Sequence, residues 1–118
     1  MEGNMLSDAI DDHQNIRDRL VKFISKEPFN AMDLFSVRRD YNCDLGSWLW
    51  KHRNAEIADK KEYQELVGIH HNFHEIAYKA LMLGSDNKPE EAFAVLVGPY
   101  AVIEKQLIEA IVNLGDVE

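Results

Sequence analysis

The sequence predicts an all-α protein: an antiparallel helical bundle of three long helices plus one or two short ones, four-helix-bundle-like. Three observations carry this. Apolar residues recur in steps of three and four over long stretches, which is helical spacing. Glycine and proline are scarce, at 6 and 3, with several of them at the joints between those stretches. No stretch alternates apolar with polar residues as a half-buried strand does. Helices packed on helices are the architecture that remains.

The first helix follows from Leu6, Ile10, His13, Ile16, Leu20, Phe23 and Ile24, which share one stripe. Ser7 or Asp8 is its candidate N-cap, MEGN is given no structural weight, and Lys26-Glu27-Pro28 ends it. Met32, Leu34 and Phe35, within 30–37, suit one or two helical turns, and the polar run 38–42 reads as a connection. CDLGSWLW, from Cys43 to Trp50, carries apolar weight at helical spacing and predicts a short helix over 43–52. His52 to Asp59 reads as a loop, with Asp59 the candidate cap of the next helix.

The second long helix is predicted over 60–83, from Tyr63, Leu66, Val67, His70, Phe73, His74, Ala77, Ala80 and Leu81, with Gly84 as a left-handed C-cap. Pro89, Glu90 and Glu91 signal the start of a last helix over 89–113. Its inward positions are Phe93, Leu96, Tyr100, Ile103, Leu107 and Ile111, and Pro99 predicts a kink near Gly98.

One domain spans residues 1–118, with its core over about 6–114. Thirteen Lys and Arg against 21 Asp and Glu leave a net charge of −8. That balance opposes nucleic acid or an anionic membrane as a partner, since both are gripped through clustered cations. The one cysteine, Cys43, excludes an internal disulfide framework, and neither a signal peptide nor a membrane span is readable. The expectation is a soluble protein in a reducing compartment. Neither a glycine-rich phosphate loop nor an oxyanion device to accompany a Cys–His nucleophile is readable, so no enzymatic activity is expected.

The chemistry lies in the histidines and the thiol. His70 and His74, four apart on one helix, leave the same face about a turn apart and can reach one metal ion. They lie on the inward stripe, where an imidazole needs a partner for each ring nitrogen. His13 occupies an inward position on the first helix. With Cys43, three imidazoles and one thiolate make four N/S donors, the complement of a closed tetrahedral zinc site. His71 and His52 are read as solvated surface residues, Arg38 and Arg39 as a solvated turn. Trp48, Trp50, Phe35 and Tyr41 are read as core or interface aromatics. Asp12 and Glu75 adjoin candidate ligands, but sequence neighbours point elsewhere on a helix.

The segments AIDDH with its amphipathic continuation (Ala9 to Ile24), NCDLGSWL (Asn42 to Leu49) and HHNFHEIA (His70 to Ala77) together resemble the chemoreceptor zinc-binding, or CZB, domain family. The resemblance covers roughly residues 6 to 114. It implies a Zn2+ site on His13, Cys43, His70 and His74, with Gly46 and Trp48 completing the pattern. It further implies a cytoplasmic homodimer with a regulatory role, sensing zinc or oxidants such as hypochlorous acid through the zinc-bound cysteine. Family members signal through a chemoreceptor or diguanylate cyclase output domain or occur alone. No output domain is readable within these 118 residues, so the output is expected in cis or in trans. Two alternatives stand beside this reading. One is a metal-free helical dimerisation module. The other is a di-iron, hemerythrin-like protein, which needs bridging carboxylates that the last helix is read as lacking.

Overall fold

The computed structural model describes residues 3–26, 38–39 and 43–118. It is an all-α bundle, with no strand among the described residues. The long helices are α1 (Gly3–Ile24), α3 (Lys61–Ser85) and α5 (Pro99–Val117); the short ones are α2 (Asp44–Lys51) and α4 (Pro89–Val97). The predicted turns over 30–37, with Phe35, and Tyr41 lie outside the described residues.

Contacts fix the sense of each helix. His13 of α1 meets His70 and His74 of α3, and Ile24 at the end of α1 meets Gly84 near the end of α3. These two helices therefore run parallel. Leu6 of α1 lies against Gly115 and Arg17 pairs with Glu104, so α5 runs antiparallel to α1. The core between them holds Leu20, Leu66, Phe73, Leu81, Leu107 and Ile111, all fully buried. Burying a side chain of this size contributes about 1.5–3 kcal/mol, so this seam holds the bundle together.

Several boundaries differ from the sequence reading, each for a local reason. Helix α1 begins at Gly3, so Ser7 and Asp8 lie inside it rather than capping it. It ends at Ile24, and Lys26 turns the chain with a φ of 60°. A 3-10 helix, Glu56–Asp59, occupies part of the predicted loop, and the N-cap of α3 is Lys60 rather than Asp59. Gly84 stays helical, and the left-handed residue is Asn87, with a φ of 62°. What Gly84 provides is close approach: a Cβ there would stand 3.0 Å from Ile24 and 3.4 Å from the Phe23 ring.

The predicted kink is a full break. Gly98 has φ −108° and ψ −105°, outside helical geometry, and Pro99 brings no N–H to continue the ladder. The last helix is thereby divided into α4 and α5. Val67, expected inward, is 41% exposed, and Trp50, expected in the core or an interface, is 61% exposed.

Candidate metal centre

Three helices deliver the four sequence-predicted donors to one point. His70 and His74 come from the middle of α3 and His13 from α1, all three buried. Cys43 is the N-cap of α2 and half-buried. Leu45 and Leu49 bury one side of α2, and the Tyr63 hydroxyl donates to the Leu49 carbonyl, tying α2 to α3. The Phe73 ring sets its edge against His13 and His74, at centroid distances of 5.3 and 5.5 Å. Two of the imidazole planes are therefore packed against a fixed ring.

The donor atoms face one another. The three Nε2 atoms are separated by 3.1 Å (His70–His13), 3.3 Å (His74–His13) and 3.0 Å (His74–His70). Cys43 Sγ lies 3.2 Å from His70 Nε2 and 3.7 Å from those of His13 and His74. All four donors fall within 4.8 Å of one another, close enough to hold one metal ion.

Proton bookkeeping explains why a cation suits this centre. The His13 Nδ1 lies 2.6 Å from the Ala9 carbonyl, which can only accept, so Nδ1 carries the proton and Nε2 presents a lone pair. A proton on either neighbouring Nε2 bridges one partner at a time, whereas a cation among the donors meets every lone pair together. Burial holds the His13 imidazole below its ordinary range, against the raising effects of the Ala9 carbonyl and Asp12. Burial, joined by His74, His13 and His71, pushes His70 down to about 2. These rings are therefore neutral near pH 7, the form that ligates metals. The Gly46 N–H donates to Cys43 Sγ at 3.3 Å, and the N-terminus of α2 favours negative charge there.

The remaining candidates are placed apart from this point. His71 is exposed, as expected. His52 is half-buried rather than solvated: its ring stacks on Trp48 at 4.1 Å and its Nδ1–H donates to the Trp48 carbonyl. Asp12 is exposed, and Glu75 pairs with Arg38 at 3.5 Å. Arg38 also lies over the Tyr78 ring, 5.0 Å from its centroid, so it does more than solvate a turn.

One buried group escaped the sequence reading. Glu104 of α5 is only 7% exposed and pairs with Arg17 at 3.6 Å, leaving Oε2 without a hydrogen-bond partner. The last helix thus does carry an inward carboxylate, although it lies outside the four-donor cluster. Its position between Ile103 and Leu107, four residues after Tyr100, was the available signal.

Comparison of the chain with protein-family models, with curated proteins and with solved structures returns no match. The site is therefore read from its own geometry.

Proposed function

We propose that this protein is a zinc-binding regulatory domain of the CZB kind, sensing zinc, oxidants such as hypochlorous acid, or both, through Cys43. The observation that carries the reading is the shape of the donor cluster. Zinc bonds of ~2.0–2.1 Å to nitrogen and ~2.3 Å to sulfur, at tetrahedral angles, span roughly 3.3–3.4 Å between nitrogens and roughly 3.5–3.6 Å between nitrogen and sulfur. The donors here are 3.0–3.3 Å and 3.2–3.7 Å apart. The set has no carboxylate, which disfavours a di-iron centre, and a thiolate with imidazoles suits zinc.

Four protein ligands would fill a tetrahedral ion and leave no position for a reacting water, so the role is regulatory rather than hydrolytic. Bound zinc would keep Cys43 as a thiolate, the form oxidants attack. With hypochlorous acid, Cys–S⁻ and HOCl give Cys–SOH and Cl⁻: the sulfur loses two electrons and the chlorine is reduced to chloride. A sulfenic acid is a poor ligand, so the start of α2 would be released from the helices bearing His13, His70 and His74. A cytoplasmic homodimer acting on a chemoreceptor or diguanylate cyclase, in cis or in trans, is the setting the family resemblance suggests. No helix among the described residues is long and apolar enough to cross a membrane.

The test is elemental analysis of protein purified without added metal, followed by hypochlorous acid titration with a chromophoric zinc indicator. Near-stoichiometric zinc, released as Cys43 is oxidised, is the expected result. Zinc-free protein with a native melting transition overturns the metal reading. Zinc retained after mass spectrometry shows Cys43 oxidised overturns the oxidant-sensing reading alone.

A further inference from the structure

Beside the donor cluster, between α2 and α3, lies a half-open cavity of about 430 Å³. Leu49, Val67, Trp50, Tyr63, Arg53 and His70 are among its lining residues, and most of the lining is apolar. Small-molecule sites have this character: ~300–1,000 Å³, apolar walls and a few placed polar groups. The Tyr63 hydroxyl is committed to the Leu49 carbonyl and His70 Nε2 to the donor cluster. The polar recognition group is therefore Arg53.

Its guanidinium lies 3.8 Å over the Trp50 ring, and Nη1 donates to the Trp50 carbonyl. That anchors the plane while most of its five N–H donors remain to meet a ligand. The lining includes no acidic side chain, in a chain whose net charge is −8. A cavity with an arginine at its edge and no acid is thus an anion-favouring spot on an acidic molecule. The exposed faces of Trp50 and Val67 at the same cavity suit a flat apolar body.

We propose that this cavity binds a small aromatic carboxylate, its ring between Trp50, Val67 and Leu49 and its carboxylate on the Arg53 guanidinium. The site stands on its own geometry and does not depend on which ion the donor cluster holds. Because His70 contributes to both, a bound ring would lie against a residue of the metal centre.

The experiment is a 19F NMR titration of the full chain, as purified, with 4-(trifluoromethyl)benzoate and, in parallel, the neutral 4-(trifluoromethyl)benzyl alcohol. The expected result is saturable binding of the carboxylate about tenfold tighter than the alcohol, with Arg53→Gln abolishing that preference. Val67→Trp, at a half-exposed position, fills the cavity and removes binding of both probes. Circular dichroism and metal content, read on the same samples, verify that each variant is folded and loaded as the parent is. Equal binding of the two probes, or a carboxylate preference that survives Arg53→Gln, overturns the proposal. So does sedimentation showing a dimer that excludes the probe and dissociates in Trp50→Ala, because the cavity's occupant is then a second copy of the chain.

Discussion

Among its described residues the bundle buries polar side chains in two neighbouring places, and they solve the cost of burial in opposite ways. In one, the rings of His13, His70 and His74 aim their Nε2 atoms and Cys43 its sulfur at a common point. In the other, Tyr100 and Glu104 are buried on α5, one turn apart, and the Tyr100 hydroxyl and Glu104 Oε2 have no hydrogen-bond partner. Arg17, one turn beyond His13 on α1, reaches Glu104 at 3.6 Å but is itself half-exposed, at 49%. Donors gathered on one point can all be satisfied by a single ion. Isolated oxygens can only lower their cost by holding protons. Burial pushes the Tyr100 hydroxyl and the Glu104 carboxyl towards the protonated form, with Arg17 opposing the shift for both.

Stripping the metal with a chelator separates the two places most sharply. Because ion binding is coupled to folding, the thermal midpoint of the stripped protein falls by on the order of 10 °C or more. Calorimetry with metal analysis checks this, and an unchanged midpoint in metal-free protein would show that the donor cluster needs no ion. Next in size is Cys43→Ser, which weakens binding by at least ~100-fold and removes the sulfur-to-cobalt charge-transfer band of cobalt-substituted protein. A retained band would place the sulfur outside the coordination sphere.

The second place responds with the opposite sign. Tyr100→Phe deletes a buried hydroxyl that has no partner, and the expected outcome is a gain of about 1 kcal/mol in urea unfolding of the metal-loaded protein. Glu104→Gln tests the carboxyl through pH. Its pKa is raised in the folded state, so the group favours folding most below the ordinary carboxylate value, and that contribution is lost as pH rises through the folded value. The wild-type minus Glu104→Gln difference in unfolding free energy should therefore fall as pH rises across that window. A flat difference would show that Glu104 titrates normally. The smallest effect is at Trp50, 61% exposed, where Ala changes stability by no more than ~0.5 kcal/mol.

The contrast also marks what a sequence reveals. Helical spacing made the long helices legible, and the four-residue step from His70 to His74 told of a shared face before any packing was known. Spacing alone did not make the convergence of Cys43 on that face legible, because it depends on where α2 lands against α1 and α3. The expectation that Cys43 joins the histidines came from the resemblance of the three segments to a known pattern. Val67 shows the limit of a periodic stripe: it satisfies the spacing, yet it borders the open cavity instead of the core. Glu104 shows the reverse, since an acid on an apolar stripe reads as a gap in the pattern until Arg17 is seen across from it. Gly84 was read from its freedom to turn, when its small size against Phe23 and Ile24 was the relevant property.

Cys43 holds two posts at once, as a corner of the donor cluster and as the residue whose sulfur receives the Gly46 amide at the start of α2. Any change at that sulfur, whether alkylation, oxidation or loss of its ion, must register at the backbone three residues on. Gly46 therefore carries a built-in reporter. Its amide resonance, in the sparsely populated glycine region of a 15N correlation spectrum, should shift with the state of the thiol and let the chemistry of one atom be followed with no probe attached to the sulfur.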